Sequence, residues 1–370
     1  MSYDFLVVGC GLSGAVIARR LAEERNKTVL IIDKRDHIGG NCYDYVDENG
    51  IRMNKYGPHM FHTNNERVWN YINLFSKWTR WEHKASGFID GQYIPLPPNI
   101  TTINMLCGQN ISDTEEADEW LSRNQLSHDT IENGYQMATS RVGVKLYEKI
   151  FKNYTYKQWG KYPDDLDAEV LARIPVRNNF DDRYFTDKYQ VLPTEGYTKM
   201  FQNILSHDNV TVNLSCNYLD IASNVPQDTT TVFTGPIDDY FTNVGYPKLE
   251  YRSIRFKIER IKNLKFYQPN SIVNYPGSNE PFTRIVEYKH FLNQDSPHTT
   301  IVSETSCGDG DPYYPVPNKR NKGLYESYKA LAEKEKNIHF VGRLASYKYF
   351  NMDQAILNAL EYFDSNLTKC

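Results

Sequence analysis

Apolar positions along this chain change period several times, and each change marks an element boundary. Phe5-Leu6-Val7-Val8 and Leu30-Ile31-Ile32 are short unbroken apolar runs, the pattern of strands buried on both faces, with a helical period between them. From about 99 to 160 the spacing turns helical, and Glu115–Asn124, Ser127–Val142 and Val144–Tyr154 predict helices of an insertion. Residues 82–97 alternate instead. Asp90-Gly91 between two short alternating runs predicts a hairpin. Arg252–Ile258, Ile272–Tyr275, Arg284–Tyr288 and Thr299–Glu304 read as strands of a largely antiparallel sheet. Residues 208–214 and 230–235 read as strands returning to the first unit, and Ile338-His339-Phe340 as a last strand before a helix near Met352. Pro163 to Asp182, rich in Asp, Arg, Asn and Pro, predicts a surface loop with little core content and local mobility. There is no internal repeat.

The first elements carry a glycine pattern. The first strand runs into Gly9-x-Gly11-x-x-Gly14, a helix follows, and the second strand ends at Asp33. This is the order and spacing of a dinucleotide-binding unit. Gly9 permits the tight turn, Gly11 close approach of a pyrophosphate, and Gly14 close packing of helix on strand. The helix N-terminus offers free N–H groups to phosphates, and Asp33 accepts from a ribose hydroxyl. Ile38-Gly39-Gly40-Asn41 adds a second glycine pair, and Val341-Gly342-Arg343-Leu344-Ala345 repeats the strand-to-glycine step near the C-terminus. Together they suggest a longer nucleotide, FAD, as in two-dinucleotide-fold flavoproteins. Cofactor contacts are expected at Gly9, Gly11, Ser13, Gly14, Asp33, Lys34, Gly40 and Asn41.

The fold class that follows is α/β (α+β): a Rossmann-like FAD-binding domain with a helical insertion and an antiparallel β-sheet substrate domain. The expected division is 1–80, 191–240 and 310–370 for the cofactor; 98–170 for the helices; and 82–97, 171–190 and 241–309 for the sheet, with a mobile loop near 163–177.

Bulk properties narrow the partners. A net charge of −4 with scattered basic residues argues against nucleic acid. No apolar stretch approaches the roughly 18–20 residues that span a membrane, and no secretory apolar region precedes the first strand. The six cysteines show no metal spacing, so no metal is expected and a reducing, cytoplasmic setting fits; Cys10 and Cys42 read as small packing residues. Tyrosine is over-represented, 28 against 17 Phe and 5 Trp, and part of it clusters with arginine. Tyr154-Thr155-Tyr156-Lys157-Gln158-Trp159, Arg173 with Arg183-Tyr184-Phe185, Arg252 with Arg284, and Tyr313-Tyr314 with Arg343 and Tyr347–Phe350 are four such groups. Arginine forks and tyrosine hydroxyls suit a diphosphate, and aromatic rings suit a base.

Those segments carry a resemblance. The chain is similar over essentially its whole length to UDP-galactopyranose mutases of the bacterial type, in HIGGN at 37–41, KYGPHMFHTN at 55–64, YTYKQWG at 154–160, RIPVR at 173–177, RYFTDKYQ at 183–190, TRIVEYKH at 283–290, DPYYPV at 311–316 and GRLASYKYFNMDQ at 342–354. The resemblance implies an isomerase that interconverts UDP-galactopyranose and UDP-galactofuranose with no net redox. Its FAD, active when reduced, attacks the anomeric carbon through N5 and displaces UDP; the adduct lets the sugar ring open and reclose. It implies diphosphate contacts at Arg173 and Arg284, phosphate-side tyrosines at Tyr184, Tyr314 and Tyr349, and a base pocket at Tyr154, Thr155, Trp159 and Asn274. Arg252 falls on a substrate-side arginine. His59 and Met60 lie at the flavin, with His59 favoured over His62 beside the ring system. Arg343, Asn351, Met352 and Asp353 close on the cofactor. Arg173, Arg284, Tyr314, Tyr349 and His59 are the implied catalytic set.

Two positions depart from the pattern: Ser13 stands where an aromatic is common, and His83 where many members carry an Asn that reaches the substrate. The sugar stays open among UDP-galactose, UDP-N-acetylgalactosamine and dTDP-6-deoxy sugars. The resemblance also implies an external reductant or NAD(P)H, a homodimer, and a product feeding cell-surface glycans. Two other classes share the fold pattern: an amine-oxidase-type FAD oxidoreductase and a non-catalytic binder like the GDP-dissociation inhibitors.

Overall fold

The computed structural model describes residues 3–226 and 228–368. Its first layer is a five-stranded parallel sheet in the order Val210–Asn213, Val29–Ile32, Phe5–Val8, Thr230–Phe233, Ile338–Phe340. Strands from residues 5 to 340 therefore lie side by side. The helices Leu12–Arg25, Tyr197–Leu205 and Met352–Tyr362 bury Ile17, Leu21, Phe201, Ile204, Ile356 and Leu360 in one core with Val7 and Ile31 of the sheet. Leu6, Val8, Ile32 and Phe233 point the other way, into a second core with Tyr218. Burial on both faces is why these strands read as unbroken apolar runs.

A seven-stranded sheet follows, in the order Tyr314–Pro315, Tyr251–Ile261, Thr299–Cys307, Arg284–Glu287, Ile272–Asn274, Ala85–Ile89, Gln92–Leu96. All neighbours are antiparallel except Ile272–Asn274 against Ala85–Ile89. The expected hairpin is there: Asp90 and Gly91 both have positive φ, 51° and 78°, as a tight two-residue turn requires.

The helical segment differs from its prediction in two places. The helix expected over Ser127–Val142 begins at Gly134 instead, because the Asn133 side chain caps it by accepting from the Gln136 N–H. Beyond Leu146 the chain widens into a π turn, Tyr147–Lys152, before the α-helix Asn153–Trp159. The segment 163–182 also corrects the expectation of little core content. Leu166, Val170 and Leu171 are buried with the helices, and Arg141 donates to the carbonyls of Leu171, Ala172 and Ile174. Only part of that segment, including Arg173, is exposed. A small antiparallel sheet of Phe61–Thr63, Tyr189–Pro193 and Trp78–Arg80, absent from the sequence reading, lies between the larger parts. Among the described residues no helix is long and apolar enough to cross a membrane.

Candidate active site

One cleft of about 960 Å³ reaches from the carboxyl ends of the parallel strands to the large sheet. Its two ends differ in construction.

The first end is backbone. The helix Leu12–Arg25 starts at Gly11 with no side-chain cap and no acid in its first turn, so its leading N–H groups stay open to an anion. Gly9 holds φ at +104°. A Cβ on Gly14 would run into the Gly9 carbonyl, and one on Gly40 would come within 2.8 Å of the Gly11 Cα. The two glycine turns thus lie against each other and leave room for a ligand backbone. Asp33 sits at the end of its strand with both carboxylate oxygens engaged, by the N–H groups of Cys10 at 2.7 Å and Arg35 at 2.9 Å. That fixes the carboxylate's orientation at the cleft wall. Lys34 and Arg35 both meet Asp311, each at 3.3 Å, and Arg35 holds Asn41 Oδ1. Burial pushes the thiols of Cys10 and Cys42 up to about 12, so both are neutral packing groups.

The second end is side chains. Tyr314 and Tyr349 stack with ring centroids 5.3 Å apart. Arg173 lies 3.9 Å over the Tyr349 ring and donates to Asn351 Oδ1 at 3.0 Å. Arg343 lies 4.5 Å from the same ring and 4.9 Å from that of Tyr314. Trp159 closes this aromatic group from beneath. Arg284 is anchored by Nε to Glu304 Oε2 at 2.7 Å. Burial is the largest influence and opposes its charge, but the Glu304 carboxylate with Tyr154 and Tyr314 together outweigh it and hold the guanidinium above its ordinary value. Tyr349 is lowered despite its burial by Arg173, Arg343 and Arg284, while burial and Tyr349 push Tyr314 up to about 12. Arg343 Nε and Nη2 are buried without a hydrogen-bond partner. Tyr154 donates to Asn274 Oδ1 at 3.3 Å, pairing two walls of one pocket.

Between the ends lie the histidines. His59 sets Nδ1 2.8 Å from the Gly57 carbonyl; burial, with Arg343 and Arg284 nearby, lowers it to about 4. His83 is 2% exposed and lowered to about 3 by burial, then by Arg284 and His62. Both rings are therefore neutral near pH 7.

Most of the expected residues line this cleft: Gly9, Gly11, Ser13, Asp33, Lys34, Gly40, Asn41, His59, Met60, His83, Tyr154, Trp159, Arg173, Tyr184, Asn274, Arg284, Tyr314, Arg343, Tyr349, Asn351 and Met352. Four expected contacts are not in the lining. Thr155 is buried behind its helix, and Gly14 serves helix–strand packing. Arg252 Nε turns instead to the Gln158 carbonyl at 3.0 Å and Ser306 Oγ at 3.3 Å. Asp353 accepts from Thr63 Oγ1 at 3.0 Å. The structure also brings in Phe185 and Gln158 from the arginine–aromatic groups, and adds Asp187, with Cys216 to Leu219 at the other end. Phe185 and Asp187 lie within three residues of Tyr184, so proximity to it in the sequence was an available signal; 216–219 carries no motif.

A Rossmann-like glycine cradle lies at one end of the cleft and a three-arginine, two-tyrosine cluster at the other, two anion-attracting surfaces that face one cavity. A family model described as NAD(P)-binding Rossmann-like domain matches residues 7–75, and one described as UDP-galactopyranose mutase matches residues 149–349. The chain is 39% identical to a probable UDP-galactopyranose mutase of Klebsiella pneumoniae, over 99% of this chain and 95% of that protein. It is 37% identical to a dTDP-fucopyranose mutase of Escherichia coli, over 96% of each. The crystal structure of a reduced UDP-galactopyranose mutase shares the fold, with a TM-score of 0.79 at 17% identity, over 100% of this chain and 96% of that one. The chain belongs to the UDP-galactopyranose mutase family, a family of isomerases.

Proposed function

We propose that the protein is an FAD-dependent mutase that interconverts UDP-galactopyranose and UDP-galactofuranose without net redox. The observation that carries this reading is the arginine cluster beside the glycine cradle. Among the described residues neither Arg173 nor Arg343 has a carboxylate partner, and Arg343 keeps two buried nitrogens unpaired. An unpaired buried donor on a cation costs about 1–3 kcal/mol until an anion satisfies it. The ligands of the cleft supply what these arginines lack: a sugar-nucleotide diphosphate is held by Arg173 and Arg284 with the hydroxyls of Tyr184, Tyr314 and Tyr349, and Arg343 turns its open nitrogens to the cofactor. Tyr154, Trp159 and Asn274 then take the uracil.

The glycine cradle, the open helix N-terminus and Asp33 fit the pyrophosphate and ribose of FAD, with Arg343, Asn351 and Met352 closing over it. Reduced flavin, when bound, supplies the nucleophile for the anomeric carbon. The chain's own task is to hold the leaving UDP and to steady charge as the anomeric bond breaks. Arg284 and Arg173 do so as permanent cations. His59, neutral at pH 7, faces the flavin as a hydrogen-bonding group that adds no charge. The reading includes the three-part domain division given above, a lid role for the segment carrying Arg173, a homodimer, a cytoplasmic setting and reduction by an external reductant or NAD(P)H.

The test is turnover of UDP-galactofuranose, dTDP-fucofuranose and UDP-N-acetylgalactofuranose by dithionite-reduced and by oxidised protein. Conversion to the pyranose by reduced protein alone, fastest for the UDP-galactose pair, is expected. Preference for the dTDP sugar would reassign the substrate. Electron transfer to oxygen on adding substrate would replace the mutase reading with an oxidase.

A further inference from the structure

His62 lies on the strand Phe61–Thr63, whose two flanking residues are buried, so its ring turns to the opposite face and lines the cleft. Two neighbours fix that ring. Phe185 stacks on it with centroids 3.7 Å apart and planes 15° off parallel. Asp187 Oδ2 lies 3.0 Å from Nδ1. Asp187 is itself held: Oδ1 accepts from Asn64 Nδ2 at 3.0 Å, and its backbone carbonyl accepts from Gln190 Nε2 at 2.9 Å. His62 Nε2 has no hydrogen-bond partner among the described residues.

We propose that Asp187 is a positioning residue that fixes the tautomer of His62. A carboxylate only accepts, so Nδ1 carries a proton, and in the singly protonated ring Nε2 is left bare. Held in plane by Asp187 and across its face by Phe185, His62 then presents one acceptor to the cleft. Its partner is a hydroxyl donor on the sugar of the nucleotide substrate, since bound diphosphate has no hydrogen to give. This rests on the mutase reading above. The conversion moves one hydroxyl proton from O4 to O5 as C1 exchanges O5 for O4, and an acceptor fixed beside the sugar holds the hydroxyl's hydrogen in one orientation. His62 itself gains and loses nothing in the net reaction.

The test needs both a spectroscopic and a kinetic readout. In ¹⁵N-histidine-labelled holoenzyme, the His62 ring nitrogens, assigned by comparison with His62→Gln, are expected to show a protonated Nδ1 and an unprotonated Nε2. In Asp187→Asn, whose amide donates to Nδ1, they are expected to exchange roles. The same variant is expected to lose about ten- to a hundredfold in kcat/KM for the sugar nucleotide, the range for a site that leaves a polar pair unmatched. Its affinity for UDP alone is expected to stay unchanged, and Asp187→Glu to recover part of the loss. An Nε2-protonated ring in the wild type would overturn the proposal. So would equal losses in UDP affinity and turnover, which mark a merely structural role. Failure of the wild type to turn over any sugar nucleotide would instead remove the mutase reading, and the ring signals would still report on Asp187.

Discussion

The two ends of the cleft are built by opposite means. The end proposed for the cofactor comes mainly from residues 9–41, where neighbouring turns and one helix N-terminus offer backbone groups. The diphosphate end draws single side chains from segments scattered across residues 154–349, which the seven-stranded sheet and the helical segment bring together. A backbone site tolerates almost any side chain that keeps the turn, and fails when a Cβ fills it. A side-chain site tolerates backbone neighbours, and fails when one charge is removed. Substitutions at the two ends should therefore be lost through different observables.

The largest effect is expected from Arg284→Ala and Arg173→Ala. Each removes a charge-assisted phosphate contact of about 2–3 kcal/mol, or roughly a hundredfold in turnover, with flavin still bound. They should separate in stability. Arg284→Ala strands Glu304, which is 1% exposed, and is expected to cost about 3–5 kcal/mol as a broken buried pair. Arg173 is exposed and its loss is expected to change stability by about 0.5 kcal/mol or less. Thermal melts beside steady-state kinetics decide this; near-normal turnover in either variant removes that arginine from the site.

Next comes Gly14→Ala, the corresponding break at the backbone end. The new Cβ meets the Gly9 carbonyl, so helix and strand must part. Overpacking of this kind costs about 1–3 kcal/mol. Because the displaced carbonyl belongs to the phosphate turn, the variant is expected to lose flavin on gel filtration, which neither arginine variant does. Retained flavin with an unchanged melt would show that the cradle is not rigid.

Much of the backbone end was legible because its signals are local. Glycine spacing, unbroken apolar runs and a terminal Asp lie within about thirty residues, and the strands they predict pair as parallel neighbours. The three-stranded sheet was not legible: its outer strands are three residues each, too short to show a period. The segment 163–182 was misjudged because its average composition is polar while Leu166, Val170 and Leu171 are apolar and buried. At the side-chain end, residue type and resemblance pointed to residues that share one cleft: Arg173, Arg284, Arg343 and Tyr349 converge there. Neither signal tells a residue that faces the cleft from one that braces its wall, which is where Arg252 and Asp353 went astray.

A smaller effect concerns pH and belongs to the junction of the two ends. His83 folds as a neutral ring lowered to about 3, against about 6.5 for an unfolded histidine. Below pH 6.5 the unfolded chain binds the extra proton, so stability is full above that pH and falls toward the folded value. One proton sets the limit, about 1.4 kcal/mol per pH unit. His83→Asn should flatten the acid slope of a denaturant-unfolding series by up to that amount between pH 6 and 4. Part of the slope should survive, because His59 is lowered in the same direction. An unaltered slope would mean the ring is not held neutral.

Arg252→Ala is expected to do least, and so it tests where the side-chain end stops. Its Nε serves the Gln158 carbonyl, which Ser306 Oγ also serves, and a Cβ on Gly160 would come within 3.0 Å of its Nη1. Arg252 thus braces the end of the helix that carries Tyr154 and Trp159, from outside the cleft. Losing one such hydrogen bond costs about 1 kcal/mol, since Ser306 still satisfies the carbonyl. The melt should fall slightly, and turnover should change by about threefold or less through a small shift of Trp159. A hundredfold loss of turnover with an unchanged melt would give Arg252 the behaviour expected of Arg173. The diphosphate site would then extend past Gln158, and the division between contact and brace would have to be redrawn there.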